Sequence, residues 1–199
     1  ADRREHYNKQ REEREEKRRV LEQQIGKEEL ARREAEAQRQ ELDRAQIAPQ
    51  RPGVVDTYVL SVSFYNDPVF EREASEAAAI LGRRYDAAER TVILSAGRGA
   101  NVARTFAAAS PNNFNAAMGK IAATLDPSED LFILFMTSHG SQDGTVAIME
   151  KGRMQGGLRP LQLRLALQQA GIRNKVVIVS ACFSGNFIPP FLNDPGATI

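Results

Sequence analysis

Residues 131–141, LFILFMTSHGS, and residues 175–185, KVVIVSACFSG, set the frame for the whole chain. Each opens with a run that is almost entirely apolar. The first run ends at Thr137 and passes at once into Ser138-His139-Gly140. The second ends at Ser180 and passes into Ala181-Cys182-Phe183-Ser184-Gly185. Runs of this length without alternation read as strands buried on both faces, the pattern of a parallel sheet.

Working outward, residues 57–65 (TYVLSVSFY) and 91–96 (TVILSA) read as two further strands. Residues 68–85 carry Val69, Phe70, Ala74, Ala77, Ala78 and Leu81 near one helical face. Residues 113–125 repeat that spacing with Phe114, Ala117, Met118, Ile121, Ala122 and Leu125, and residues 160–170 form a third helical pattern. Residues 144–150 fit one arm of a hairpin or an edge strand. Strand–helix alternation predicts an α/β domain with a mainly parallel sheet. Ligands of such sheets bind beyond the carboxyl ends of the strands. Chemistry is therefore expected just after Thr137 and Ser180.

The first 46 residues have a different texture. They hold 13 basic and 13 acidic side chains, with few apolar ones. Glu5/Lys9, Glu13/Lys17, Glu15/Arg19, Glu28/Arg32 and Glu29/Arg33 set opposite charges one helical turn apart. A charged helical arm is predicted, with Gly26 as its weak point. The arm reads either as a partner-binding or self-associating element, or as a solvated spacer. Val20, Leu21, Ile25, Leu30 and Leu42 keep no heptad over three repeats, which favours the spacer. Residues 47–53 (IAPQRPG) break the helix and read as a linker to a domain over residues 54–199.

Composition narrows the function classes. The 27 Lys and Arg against 26 Asp and Glu give a net charge of +1, with no pull towards nucleic acid or an anionic membrane. Trp is absent, so there is no obvious base-stacking platform. No apolar run reaches the roughly 18 residues of a membrane span. A single cysteine excludes an intrachain disulfide. The chain opens on Ala1 with no leader, and a processed or excised product is expected.

His139 is the only histidine outside the arm, where His6 lies, and Cys182 is the only cysteine. Consecutive units of a parallel sheet often lie side by side, which would bring both residues to one edge. A thiol must become a thiolate to attack a carbonyl, and an imidazole can serve as its base or ion-pair partner. The N–H groups of Gly140 and Cys182 are then candidate donors to an oxyanion. Equally, a lone Cys at a strand end is often a small hydrophobe, and a lone loop His a satisfied surface group. Position alone leaves both readings open. One Cys and one His without clustered further ligands do not make a metal site, and no cofactor is expected.

The ordered pair of blocks resembles the legumain-like cysteine peptidases. In that family a hydrophobic strand ends in His-Gly, and a later one ends in Ala-Cys-x-Ser-Gly. Residues 126–130 (DPSED) add a likeness to bacterial members, and the resemblance spans about residues 54–199. It implies a caspase-like three-layer sandwich and a peptide or protein substrate. It also implies Cys182 as nucleophile, His139 as its base, and a thioester acyl-enzyme resolved by water or an amine. An exported location follows by analogy with bacterial relatives. Two rival readings stand beside it. One is a catalytically silent scaffold on the same fold that binds through the arm. The other is a nucleotide-binding α/β domain, for which the loop around Gly97-Arg98-Gly99 matches neither a P-loop nor a dinucleotide fingerprint.

Some positions depart from the family pattern. Phe183 stands where a polar or charged residue is usual. Tyr65-Asn66-Asp67-Pro68 lacks the basic pair used to read Asn or Asp. Asn66, Arg98 and Ser180 are the candidate substrate-binding residues, with Asn66 also placed to orient His139. Residues 196–199 read as the start of another strand, so the domain is expected to be incomplete at its C-terminal end.

Overall fold

The computed structural model describes residues 2–43, 46–99, 105–150 and 152–199. Ala1, Ala45 and Ala100, which closes the Gly-rich loop, lie outside the described residues, as do the side chains of Glu5 and His6. Two compact units are present, Ala1–Gln38 and Arg39–Ile199.

The first unit is helical. Helix α1 (Asp2–Asp43) runs unbroken through Gly26. The cost of one glycine, about 1 kcal/mol, does not interrupt a segment so rich in Glu, Arg and Gln. Surface ion pairs join Arg11 to Glu15, Arg18 to Glu22, and Glu29 to both Arg32 and Arg33. Of the pairs expected from spacing, Glu29/Arg33 forms at 3.0 Å, whereas Glu28 instead accepts from Gln24. No described helix is long and apolar enough to cross a membrane.

The second unit starts before residue 54. Leu42 is buried in its core and its carbonyl accepts from Lys120 Nζ. Residues 47–53 are tied down rather than free: Ala48 N donates to Glu89 O, and Arg90 Nη2 to Pro49 O. Ile47 packs against the core.

The elements that follow are β1 (Thr57–Ser63), α2 (Pro68–Arg84), β2 (Thr91–Ser95), β3 (Ala107–Ala108), α3 (Pro111–Ala122), β4 (Leu131–Thr137), β5 (Val146–Glu150), β6 (Arg153–Leu158), α4 (Pro160–Gln169), β7 (Lys175–Ser180), α5 (Ile188–Phe191) and β8 (Ala197–Thr198). Six strands form one sheet in the order β3-β2-β1-β4-β7-β8, with every pairing parallel. Strands β5 and β6 form a separate antiparallel hairpin. The sequence reading missed β3, which is two residues long, and β6, whose Gln155-Gly156-Gly157 carries no strand propensity.

Three layers result. Tyr58, Leu60 and Val62 of β1, Phe132, Leu134 and Met136 of β4, and Val177 of β7 share the main core with Phe114 and Ile121 of α3 and Leu163 and Leu167 of α4. On the other face, Ser61 Oγ donates to Ala74 O of α2 at 2.7 Å. Val59, Ile133 and Leu81 pack together there. This is the caspase-like three-layer arrangement. Pro starts α2, α3 and α4, where its missing N–H costs nothing, and Asp67 and Ser110 cap the first two.

Charges at the amino end of the sheet are internally matched. Asp56 is buried and accepts from Arg51 Nη2 at 2.6 Å, with Arg90 Nη2 at 3.5 Å. Burial pushes its carboxyl upward, but hydrogen bonds from the Arg51 side chain and backbone, with the charges of Arg90 and Arg51, outweigh that and hold it below its ordinary value. A depressed carboxyl contributes stability above its unfolded value of about 4, and that contribution is lost as pH falls below it. Asp56→Asn is expected to cost about 3 kcal/mol at pH 7, because Arg90 is left buried without its counter-charge. Urea unfolding of both proteins should show the gap shrinking as pH is lowered from 5 towards 3.

Candidate active site

His139 and Cys182 come to one edge of the sheet because β4 and β7 pair in a fixed register. Thr137 lies opposite Ser180. His139 and Cys182 are each two residues further on, so the strands deliver them at equal height. Ser138 N donates to Ser180 O at 3.2 Å and extends the ladder one step beyond the paired strands. The Cα of Gly140 then abuts the Cys182 peptide. A methyl group on Gly140 would collide with the Cys182 carbonyl oxygen and stand 3.0 Å from its carbonyl carbon. Only glycine lets these two loops approach so closely.

The loop after β4 is held from within. Ala147 N donates to His139 O at 2.9 Å, and Ser141 N to Thr145 O at 3.0 Å. Asp143 accepts from the Ser141 hydroxyl, the Thr145 N–H and the Thr145 hydroxyl. Those donors, the Ser141 hydroxyl first, hold the Asp143 carboxyl down at about 2. A strap joins the two loops: Asn186 Nδ2 donates to Gln142 O at 3.3 Å and to Phe183 O at 3.0 Å. Gly144, in the left-handed region at φ +78°, lies under the Asn186 side chain.

His139 is exposed, and its ring is fixed by aromatic edges. Tyr65 stands 4.6 Å away at 82°, and Phe70 of α2 stands 5.0 Å away at 87°. Among the described residues, neither ring nitrogen has a hydrogen-bond partner. Cys182 is also exposed. Phe183 follows it in the left-handed conformation, φ 58° and ψ 22°, and turns the chain away from the sheet. Neither the Gly140 nor the Cys182 backbone N–H donates to any described residue.

The other predicted site residues fall in different places. Ser180 is exposed on the α2 face, and its Oγ lies 3.5 Å from Glu73 Oε2. Asn66 is half-buried beside Tyr65 and makes no hydrogen bond to His139 among the described residues. Its neighbour Tyr65 orients the ring instead. Arg98 is engaged: its Nε donates to the buried Glu71 carboxylate at 2.5 Å, which also accepts from Ser95 Oγ. Substrate could recruit Arg98 only by stranding a buried charge.

Sequence reasoning missed Tyr65, Phe70, Glu73 and Asn186. Phe70 belongs to the apolar face of the helix over residues 68–85, and its contact with His139 is tertiary. Asp143-Gly144 is a recognisable turn pair, and it could have flagged the tight loop.

An exposed thiol and an exposed imidazole stand at one edge of a parallel α/β sheet, beside two backbone N–H groups that donate to no described residue. The sequence model of the Peptidase C13 family matches residues 55–199. The chain belongs to that family, the legumain family of cysteine peptidases, whose substrates are peptides or proteins. Comparison with curated proteins gives no significant match.

Gly140→Ala should force the two loops apart. A displacement of about 1 Å at a reacting centre costs on the order of 100-fold in rate. Peptide hydrolysis by Gly140→Ala is expected to fall by about that factor. Circular dichroism should still report the native helix and strand content.

Proposed function

We propose that Cys182 and His139 form the catalytic dyad of a legumain-type endopeptidase working through a thioester acyl-enzyme. The observation that carries the proposal is the shared edge, where register brings the two exposed side chains next to the Gly140 and Cys182 N–H groups. His139 takes the thiol proton, and the Cys182 sulfur adds to the peptide carbonyl carbon. The resulting oxyanion is received by the two N–H groups, which have no competing acceptor among the described residues. His139 returns its proton to the amide nitrogen as the C–N bond breaks. The amine leaves and the acyl group stays on sulfur as a thioester. Water, or the amine of a second peptide, then adds to the thioester carbonyl and gives its proton to His139. Collapse expels the thiolate, which is reprotonated.

Tyr65 and Phe70 support the dyad by limiting the rotation of the imidazole, a role that a hydrogen-bonding third residue has in other nucleophile–base pairs. A silent scaffold on this fold has no specific observation in its favour, since both reactive groups are kept and both are open to solvent.

Cys182→Ala and His139→Ala are each expected to lower peptide hydrolysis by at least about 1000-fold. The rate of Cys182 alkylation by iodoacetamide should also fall in His139→Ala, because the base that takes the thiol proton is gone. Hydrolysis that persists unchanged in Cys182→Ala would remove the dyad from the mechanism.

A further inference from the structure

We propose that Glu73 selects Lys or Arg as the residue whose carbonyl Cys182 attacks; this rests on the dyad reading above. Glu73 projects from α2 onto the ends of the two strands that carry the dyad. Its Oε2 accepts from Thr137 Oγ1 at 2.6 Å and lies 3.5 Å from Ser180 Oγ. Thr137 and Ser180 stand two residues before His139 and Cys182, so the carboxylate sits directly behind the pair, on the same face of the sheet. The Phe70 edge against His139 comes from one turn earlier on the same helix.

The charge on Glu73 is unanswered. Asp56 has Arg51 and Arg90, Glu71 has Arg98, and Asp194 has Lys175. Among the described residues Glu73 has no ion-pair partner, and its Oε1 accepts no hydrogen bond. A half-buried carboxylate in that state favours a cation brought from outside. Access is open on the Cys182 side. Helix α2 packs over β1, β2 and β4, and Thr137 of β4 is fully buried. On β7 no described residue covers the same face, with Ser180 exposed and Ile178 38% exposed.

Reach discriminates between substrates. Two residues of chain span at most about 7 Å, so Ser180 lies within that range of Cys182, and the carboxylate lies 3.5 Å from the Ser180 hydroxyl. A Lys or Arg side chain hanging from a carbonyl at Cys182 covers the distance, with its apolar stem along β7 and its charge at Glu73. Asn and Asp reach less far and bring no cation, and Asp would meet a like charge. Arg98, the candidate for reading an acidic side chain, is already bound to Glu71.

The test uses the full chain and a peptide series that varies only this residue: Lys, Arg, Asn, Asp and norleucine. Lys and Arg peptides should be cleaved at least about tenfold faster than the others in kcat/KM. Glu73→Gln, which keeps an acceptor for Thr137, should collapse the Lys-to-norleucine ratio towards one. A ratio near one in the unmodified chain, or a ratio unchanged by Glu73→Gln, overturns the proposal. Binding decides the matter independently of turnover. By calorimetry, Cys182→Ala should bind the Lys peptide about tenfold tighter than the norleucine peptide, and Cys182→Ala with Glu73→Gln should not. Equal affinities, or no measurable Lys-peptide binding, overturn the selection. If no peptide is cleaved but the Lys preference in binding persists, the dyad reading fails and the selection stands.

Discussion

The pairing of β4 with β7 is the constraint on which the site depends. Sheet side chains alternate faces, so a one-residue slip would turn Thr137 and Ser180 to opposite sides and part the groups that follow them. The register is pinned at both ends. At the start, Asn174 Nδ2 donates to Asp130 O and Phe132 N to Asn174 O. The buried Lys175 ammonium is neutralised there by Asp194 and by two backbone carbonyls. At the finish, Ser138 N reaches Ser180 O and Gly140 lies on the Cys182 peptide. Between these anchors the strands contribute apolar area to two layers at once, and a slip would forfeit it.

The two ends of the sheet handle polar groups in opposite ways. At the amino end the buried charges among the described residues have partners: Asp56 with two arginines, Lys175 with Asp194, and Asp130 with the N–H groups of Asp56 and Asp126. These are the marks of a region whose task is to stay folded. At the carboxyl end two backbone N–H groups, an imidazole and a carboxylate are left without a full set of partners among the described residues. Buried or half-buried groups in that condition are costly within a monomer, and they become useful when a ligand supplies the missing half.

That division also explains what could be read in advance. Strands β1, β4 and β7 were legible because burial on both faces writes itself as unbroken apolar sequence. Their parallel sense followed from the helices between them, whereas the place of β1 between β2 and β4 is written in no local spacing. His139 and Cys182 were legible because each is the sole residue of its type in the globular unit. The supporting contacts were not. Asn186 and Gln142 are 44 residues apart, and Glu73 and Ser180 are 107 apart. Nothing in local spacing records such meetings. The contacts of residues 47–53 are hidden for a related reason. The linker's prolines and glycine keep it out of the helix, but its hydrogen bonds to Glu89 and Arg90 come from distant sequence.

In the sequence Phe183 stands out only as an unusual neighbour of Cys182, and the fold gives that position a backbone role. A side chain in the left-handed region costs on the order of 1 kcal/mol or more, which a glycine would avoid. The conformation persists because the surrounding contacts over-determine it. Phe183 O accepts from both the backbone N–H and the side-chain amide of Asn186, while Ser184 N closes back on Ala181 O. The same Asn186 amide reaches Gln142 in the loop that carries His139. The turn after Cys182 and the loop after His139 therefore cannot relax separately. Strain at Phe183 and the strap at Asn186 form one device, which keeps the thiol, the imidazole and the two N–H groups in a single arrangement while the groups themselves stay open to solvent.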